Sequence, residues 1–125
     1  MSQENRLEKT NRINLLFDFY EPLLTEKQQT FLKYYFHDDF SLGEIASEFE
    51  ISRQAVYEHI KRAEQVLEMY EDKLGLLGKH EQRTRELEQL SEKVASLMKQ
   101  EEAPSPDELQ QINDIVNRLQ QMQRS

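Results

Sequence analysis

The chain has 125 residues, of which 37% are hydrophobic and 32% are charged, and its formal net charge at pH 7 is -8. The absence of cysteine excludes disulfides, thiolate metal sites and cysteine nucleophiles. Only three glycines and three prolines interrupt a sequence rich in Glu, Gln, Leu, Lys and Arg, which predicts an all-α fold. There is no basic-then-apolar leader and no apolar run near the roughly 20 residues that span a membrane, so we expect a cytoplasmic protein.

Two helices are predicted in the first third of the chain. The first covers residues 5–24, and Pro22 is expected to bend or end it, because proline lacks an N–H and clashes with the preceding turn. The second covers residues 26–37, with Thr25 as its cap and Gln28 as the reciprocal partner of a capping box. The buried face of the first helix is predicted to comprise Ile13, Leu16, Phe17, Tyr20 and Leu23.

The third and fourth helices are predicted over residues 42–49 and 52–73. Ser41 and Glu44 form a second capping box at the start of the third helix, and Ser52 caps the fourth. A short helix, a turn of about three residues and a second capped helix are typical of a helix-turn-helix unit, and an ordinary helical hairpin is the alternative. Hydrophobic staples and the junction residues favour the first interpretation: Phe40 with Ile45, Ile51 with Val56, and the close-packed Ala46 and Ile60.

The fourth helix begins with the stretch ISRQAVYEHIKR, which has the composition of a DNA-recognition helix. Arg53, Gln54, Tyr57 and Lys61 project together beside the buried face. Arg can bond guanine bidentately, Gln can bond adenine, and Lys and Tyr can reach phosphates. Ser52 and the free N–H groups behind it can hold one phosphate, and Arg62 is at best a backbone contact. The buried face is predicted to contain Val56, Ile60, Ala63 and Leu67.

The same side chains are also ordinary residues for an exposed helix, and the charge nearby opposes strong binding. Residues 51–62 hold three cations and one carboxylate, a formal charge of +2 within a chain of -8. Such a chain is repelled by a duplex at long range. Glu50 stands in the turn where glycine is common, so the turn either takes another shape or absorbs about 1 kcal/mol. Carboxylates surround the stretch at Glu44, Glu48, Glu50 and Glu64.

Residues 24–67, from LTEKQQTFLKYYF to AEQVL, resemble region 4 of bacterial sigma factors. Residues 8–74 closely resemble the YlxM family of Gram-positive bacteria, through TNRINLLFDFYEPLLT, YYFHDDFSL and SRQAVYEHIKR. The resemblance implies a sigma-like helix-turn-helix protein. Together with the side chains and charges described above, it leads us to expect a regulatory protein that binds DNA, or RNA, weakly through residues 41–62. It also implies a link to the signal recognition particle, since such genes neighbour those of the particle. The alternative is a protein-interaction module that acts on the particle without binding DNA.

The C-terminal part is predicted to form a helical hairpin. Gly75 and Gly78 should break or bend the path after the fourth helix, giving one domain over residues 1–74 and an extension over 75–125 in the same compact chain. Ser105, Pro106 and Glu108 predict a capped last helix. The hairpin either folds back on the helix-turn-helix core or serves dimerisation or docking, and we expect a homodimer. Its narrow seams are Leu87, Leu90, Val94 and Leu97 on one helix, and Leu109, Ile112, Val116 and Leu119 on the other.

No pattern in the sequence indicates an enzyme. His37 lies beside Asp38 and Asp39, but neighbours in sequence do not converge on one metal without a further ligand. His59 and His80 stand alone, and there is no glycine-rich phosphate loop. We therefore expect no catalytic residues, no metal and no cofactor.

Overall fold

The computed structural model describes residues 3–124, and this part of the chain is helical without any strand, which confirms the predicted all-α class. It divides into two compact units, one ending at Leu77 and the other beginning at Gly78. No helix among the described residues is long and apolar enough to cross a membrane. The α-helices are α1 (Gln3–Tyr20), α2 (Glu26–Leu32), α3 (Leu42–Phe49), α4 (Arg53–Leu74), α5 (Leu76–Lys99) and α6 (Pro106–Arg124).

The predicted capping residues are confirmed at four helix starts. The hydroxyl of Ser41 accepts from the N–H of Glu44 at 3.1 Å, and the Glu44 carboxylate accepts from the N–H of Ser41 at 3.2 Å. Thr25 with Gln28, and Ser105 with Glu108, form the same reciprocal pair, and Ser52 accepts from the N–H of Ala55. Each side chain satisfies a backbone group that the first helical turn leaves unpaired.

The chain between α1 and α3 departs from regular α-helix twice. Helix α1 ends at Tyr20, and Pro22 lies in a short 3-10 turn, Glu21–Leu23, which confirms the expected effect of proline. The predicted continuous helix over residues 26–37 is wrong in its second half, because α2 changes at Leu32 into a π turn, Lys33–His37. That turn is closed by the N–H of Asp38, which donates to the carbonyl of Lys33 at 2.9 Å.

Helix α1 packs along the second half of α4. Arg12 pairs with Glu68, and Tyr20 donates to Glu71. The residue numbers of the partners increase along both helices, so α1 and α4 run in the same direction. The apolar cluster beneath these pairs is Ile13, Leu16, Phe17, Tyr20, Leu24, Leu32, Ala63, Leu67 and Leu77. All but one of the apolar positions predicted for α1 belong to it. Leu23 does not, as it is 51% exposed.

A second cluster holds α2, α3 and the start of α4 together as a helix-turn-helix unit. It comprises Phe31, Ile45, Ala46, Val56 and Ile60, with both predicted staple residues, Phe40 and Ile51, packed against it. The turn absorbs the backbone strain at Glu50, which adopts a left-handed conformation with φ 56° and ψ 43°. The N–H of Ile51 still donates to the carbonyl of Ala46 at 3.1 Å, so the end of α3 is satisfied without glycine.

The junction between α4 and α5 is a single residue. Gly75 has φ 63° and is the break, whereas Gly78 lies inside α5 and does not interrupt it. The first N–H groups of α5 find partners from the neighbouring helices: Leu76 donates to the hydroxyl of Tyr20 at 3.1 Å, and Leu77 to the carboxylate of Glu71 at 3.0 Å. These side chains let a helix start immediately after Gly75.

Helices α5 and α6 form the predicted antiparallel hairpin. Arg118 pairs with Glu86 at 3.0 Å and Lys93 donates to Gln111 at 2.8 Å. Residue numbers that increase along α5 therefore pair with numbers that decrease along α6. The predicted seam register is wrong in part, because the one fully buried side chain of the described hairpin is Ile115. Four apolar side chains remain at least 40% exposed: Leu87, Val94, Met98 and Leu109.

Candidate nucleic-acid interface

The start of α4 lies close to the start of α3. Ser52 is exposed and its hydroxyl is occupied as the helix cap, accepting from Ala55 at 3.0 Å. A Cβ atom placed on Gly43 would lie 3.0 Å from both Nε and Nη2 of Arg53, so the guanidinium rests close against the backbone of α3. Among the described residues, no carboxylate forms an ion pair with Arg53.

Gln54 and Tyr57 lie on the outer face of α4 beside Arg53. The amide of Gln54 donates to the carboxylate of Glu58 at 3.3 Å, a weak bond across one helical turn. The Tyr57 side chain is 45% exposed. Arg53, Gln54 and Tyr57 therefore form one exposed surface, which we call the recognition face.

Lys61 lies at the inner edge of this face. Its Nζ atom is 5.6 Å from the centre of the Tyr57 ring and 3.5 Å from Oε2 of Glu64. The ammonium is thus attracted both to an aromatic face and to a carboxylate, which holds it toward α1. Glu64 is only 8% exposed, and its Oε1 atom is 3.6 Å from Nζ of Lys9. The nearby Lys61 ammonium lowers the pKa of Lys9, and burial lowers it further.

Arg62 faces a different surface from Arg53. With Lys27 and His59 it lines a depression of about 190 Å³ between α2 and α4. The imidazole of His59 stacks on the Phe31 ring at 5.0 Å. Burial lowers the pKa of His59, and the positive charges of Lys27 and Arg62 lower it further.

A groove of about 470 Å³ adjoins the recognition face, and residue patterns of the sequence did not reveal it. We call it the tyrosine groove, because Tyr35 of the π turn and Tyr57 of α4 stand on its walls. Arg6 and Lys9 of α1 and Lys61 of α4 supply its cations. Helical spacing could have indicated the groove, because Lys9 and Arg6 lie one and two turns before Ile13 on the same face of α1. Its apolar residues are Phe36, Leu42 and Ile60.

Comparison with protein families gives a match over residues 7–106 to UPF0122, described as "Putative helix-turn-helix protein, YlxM / p13 like". The chain belongs to this family. A UPF0122 protein of Listeria innocua is 52% identical over 108 residues, which cover 86% of this chain and 97% of that protein. One of Halalkalibacterium halodurans is 61% identical over 88 residues, covering 70% and 81%, and one of Bacillus mycoides is 50% identical over 113 residues, covering 90% and 98%.

Membership of the UPF0122 family confirms the resemblance stated from the sequence and the helix-turn-helix class. The matched segment contains the whole recognition face and every residue of the tyrosine groove except Arg6. It ends at Pro106, the first residue of α6, so the family model covers the helix-turn-helix unit and α5 but only one residue of the last helix.

Proposed function

We propose that this UPF0122 protein is a regulatory protein of the cytoplasm that binds nucleic acid weakly through residues 41–62. The observation that carries the proposal is the recognition face, three exposed side chains at the start of a capped helix in a helix-turn-helix unit. Their guanidinium, amide and phenol groups are the types that read base edges and contact phosphates.

The charges around the face support weak rather than strong binding. Phosphate contacts supply most of the affinity of typical DNA-binding proteins, and this chain has a net charge of -8. Glu58 engages Gln54, and Glu64 offsets part of the Lys61 charge. We therefore expect dissociation constants that are micromolar or weaker, strongly dependent on salt, and tighter when a partner such as the signal recognition particle adds contacts.

The test is a salt titration of binding to duplex DNA and to the RNA of the signal recognition particle, followed by fluorescence anisotropy. Arg53→Ala should cost about 1–3 kcal/mol at a cognate site. Lys61→Ala should weaken binding to all sequences alike and reduce the salt slope by up to about one, since Glu64 already offsets part of its charge.

Lys73→Ala is the matched control, because Lys73 lies exposed at the far end of the same helix and its removal changes the net charge equally. The proposal fails if the wild-type protein and an Arg53→Ala, Lys61→Ala double variant bind every duplex and RNA with the same affinity.

A second function is an interaction module that works with the signal recognition particle without binding DNA. The net charge of -8 and the carboxylates around the recognition face favour it. In that case the double variant retains binding to the particle's protein components, measured by calorimetry, whereas Lys73→Ala, Arg53→Ala and wild type are indistinguishable on nucleic acid.

We also propose that the protein is a homodimer and has no enzymatic activity. The apolar side chains left exposed on the hairpin, Leu87, Val94, Met98 and Leu109, support self-association. A dimer would present two recognition faces, as helix-turn-helix dimers do. Sedimentation at tens of micromolar protein should detect it, and a single 15.0 kDa species would contradict it.

A further inference from the structure

The tyrosine groove concentrates positive charge on an acidic protein. Three of its lining side chains are cationic, Arg6, Lys9 and Lys61, and one is a carboxylate, Glu64, so its local formal charge is +2. The net charge of the whole chain is -8. Glu64 lies between Lys9 and Lys61, at 3.6 Å and 3.5 Å, and offsets only part of the positive charge in the groove. The groove is therefore suited to a ligand that carries negative charge.

Aromatic rings stand on two walls of the same groove. Tyr35 is 37% exposed and packs edge-on against Phe36, with ring centres 5.0 Å apart, so its orientation is fixed while one surface stays open. Tyr57 is 45% exposed. Open aromatic faces beside cations are the combination that stacks nucleic-acid bases while holding their phosphates.

The backbone at Tyr35 points to a site as well. Tyr35 belongs to the π turn Lys33–His37, and such turns occur frequently at functional sites because they redirect side chains from the regular helical path. The volume of about 470 Å³ falls within the range of small-ligand sites, roughly 300–1,000 Å³.

We infer that the tyrosine groove holds an unpaired nucleotide, with the base against Tyr35 or Tyr57 and an adjacent phosphate near Arg6, Lys9 and Lys61. The inference rests on the proposed nucleic-acid function and deepens it. Bases within a duplex are covered on both faces by their neighbours, so only an unpaired base can enter. Tyr57 belongs to both the recognition face and the groove, which makes the two surfaces continuous. Single-stranded or looped segments are therefore the ligand class.

The experiment compares three fluorescein-labelled probes of about 12 nucleotides by anisotropy: oligo-dT, oligo-U, and the oligo-dT strand annealed to oligo-dA. At least one single strand should bind more tightly than the duplex. Tyr35→Leu should weaken that binding about tenfold and leave duplex binding unchanged, because leucine fills the space without a stacking face. Arg6→Glu should act in the same direction and reduce the salt slope by about 0.7 for the lost phosphate contact.

Arg85→Glu is the matched control, because Arg85 lies exposed on α5 and the change in net charge is the same. Arg6 is also exposed, so Arg6→Glu tests the groove even if Tyr35→Leu fails to fold, which circular dichroism would reveal. Equal effects of Arg6→Glu and Arg85→Glu on single strands would overturn the inference, since only long-range charge would then be involved.

Two further outcomes separate this inference from the proposed function. If Arg53→Ala weakens binding to every probe while Tyr35→Leu and Arg6→Glu weaken none, the groove inference fails and the recognition face stands. If an acidic tyrosine-containing peptide displaces the single strand at lower concentration than unlabelled oligonucleotide does, the groove is a peptide site and the inference fails. Absence of binding to all three probes by the wild-type protein would overturn the groove inference, whereas the proposed function is decided by the titrations with duplex DNA and with the RNA of the signal recognition particle.

Discussion

Of the fifteen buried apolar side chains among residues 4–124, fourteen belong to the unit that ends at Leu77, and the hairpin contributes only Ile115. In the first unit, α1 covers one side of α4 while α2 and α3 cover another, so apolar side chains meet others from several directions. Two helices alone offer each other one narrow stripe.

Polar pairs at the surface of the hairpin add little to this narrow apolar stripe. Arg118 with Glu86 and Lys93 with Gln111 are exposed, and such contacts contribute little, typically below about 1 kcal/mol each. The comparison shows that a regular 3-4-3 pattern in the sequence does not measure how much surface a helix buries. The buried surface of a helix depends instead on how many helices pack around it.

The largest expected effect follows from placing a charge in the first core. Val56 is 0% exposed, so Val56→Asp buries an unpaired carboxylate. We expect the free energy of unfolding to fall by about 4–5 kcal/mol, which unfolds the unit. Urea denaturation followed by circular dichroism measures it. Thr84→Asp introduces the same group at an exposed position of α5 in the hairpin, and should change stability by less than about 0.5 kcal/mol. A urea denaturation curve that Val56→Asp leaves unchanged would refute the assignment of this core.

A smaller and more local loss is expected in the hairpin. Ile115→Ala should destabilise it by about 2–4 kcal/mol, because the residue is 1% exposed and leaves a cavity. Hydrogen exchange should show faster exchange in α5 and α6 while the amides of α4 around Ile60 keep their protection. Gln120→Ala, at an exposed position of the same helix, is the control and should have little effect. Uniformly faster exchange in both units would contradict the division drawn above.

Glu50→Gly should stabilise the first unit by about 0.5–1 kcal/mol, because glycine tolerates φ 56° without a clash of its side chain. Glu48→Gly, two residues earlier within α3, should instead destabilise by about 1 kcal/mol. The two variants remove the same charge. If both shift the melting temperature in the same direction, electrostatics rather than backbone strain decides the effect.

The smallest expected effect is a dependence on pH that is specific to the first unit. Since burial lowers the pKa of His59, the unfolded chain binds a proton before the folded chain does. The stability linked to this group is fully present above about pH 6.5, the unperturbed value, and is lost as the pH falls toward the lowered pKa. His59→Phe keeps the stack on Phe31 and should flatten stability between pH 7.5 and 5.5. An unaltered slope would assign the pH dependence to other groups.

The features that sequence predicted well are those decided within one or two helical turns. The boxes at Ser41 and Ser105 depend on a hydroxyl and a carboxylate three residues apart, so the partners are visible in the sequence. The recognition face also follows from spacing along one helix, and its role in binding stays a prediction.

Features set by distant residues could not be predicted in this way. Helix α5 starts before Gly78 because Tyr20 and Glu71 satisfy its first N–H groups, and Tyr20 is more than fifty positions away. The groove needs Arg6 and Tyr35 brought to α4 by folding. On α6, apolar residues with 3-4-3 spacing can be traced along two adjacent stripes of the helix surface. Packing against α5 buries the stripe that contains Ile115.

The π turn has a consequence for how the chain can change over evolutionary time. An α-helical turn uses one residue fewer, so a single-codon deletion within Lys33–His37 would convert the turn into ordinary helix with few broken bonds. Tyr35 would then lose its place on the groove wall, and Phe36, which packs against both core clusters, would shift with it. One insertion or deletion at this point would therefore reshape the tyrosine groove in a single step.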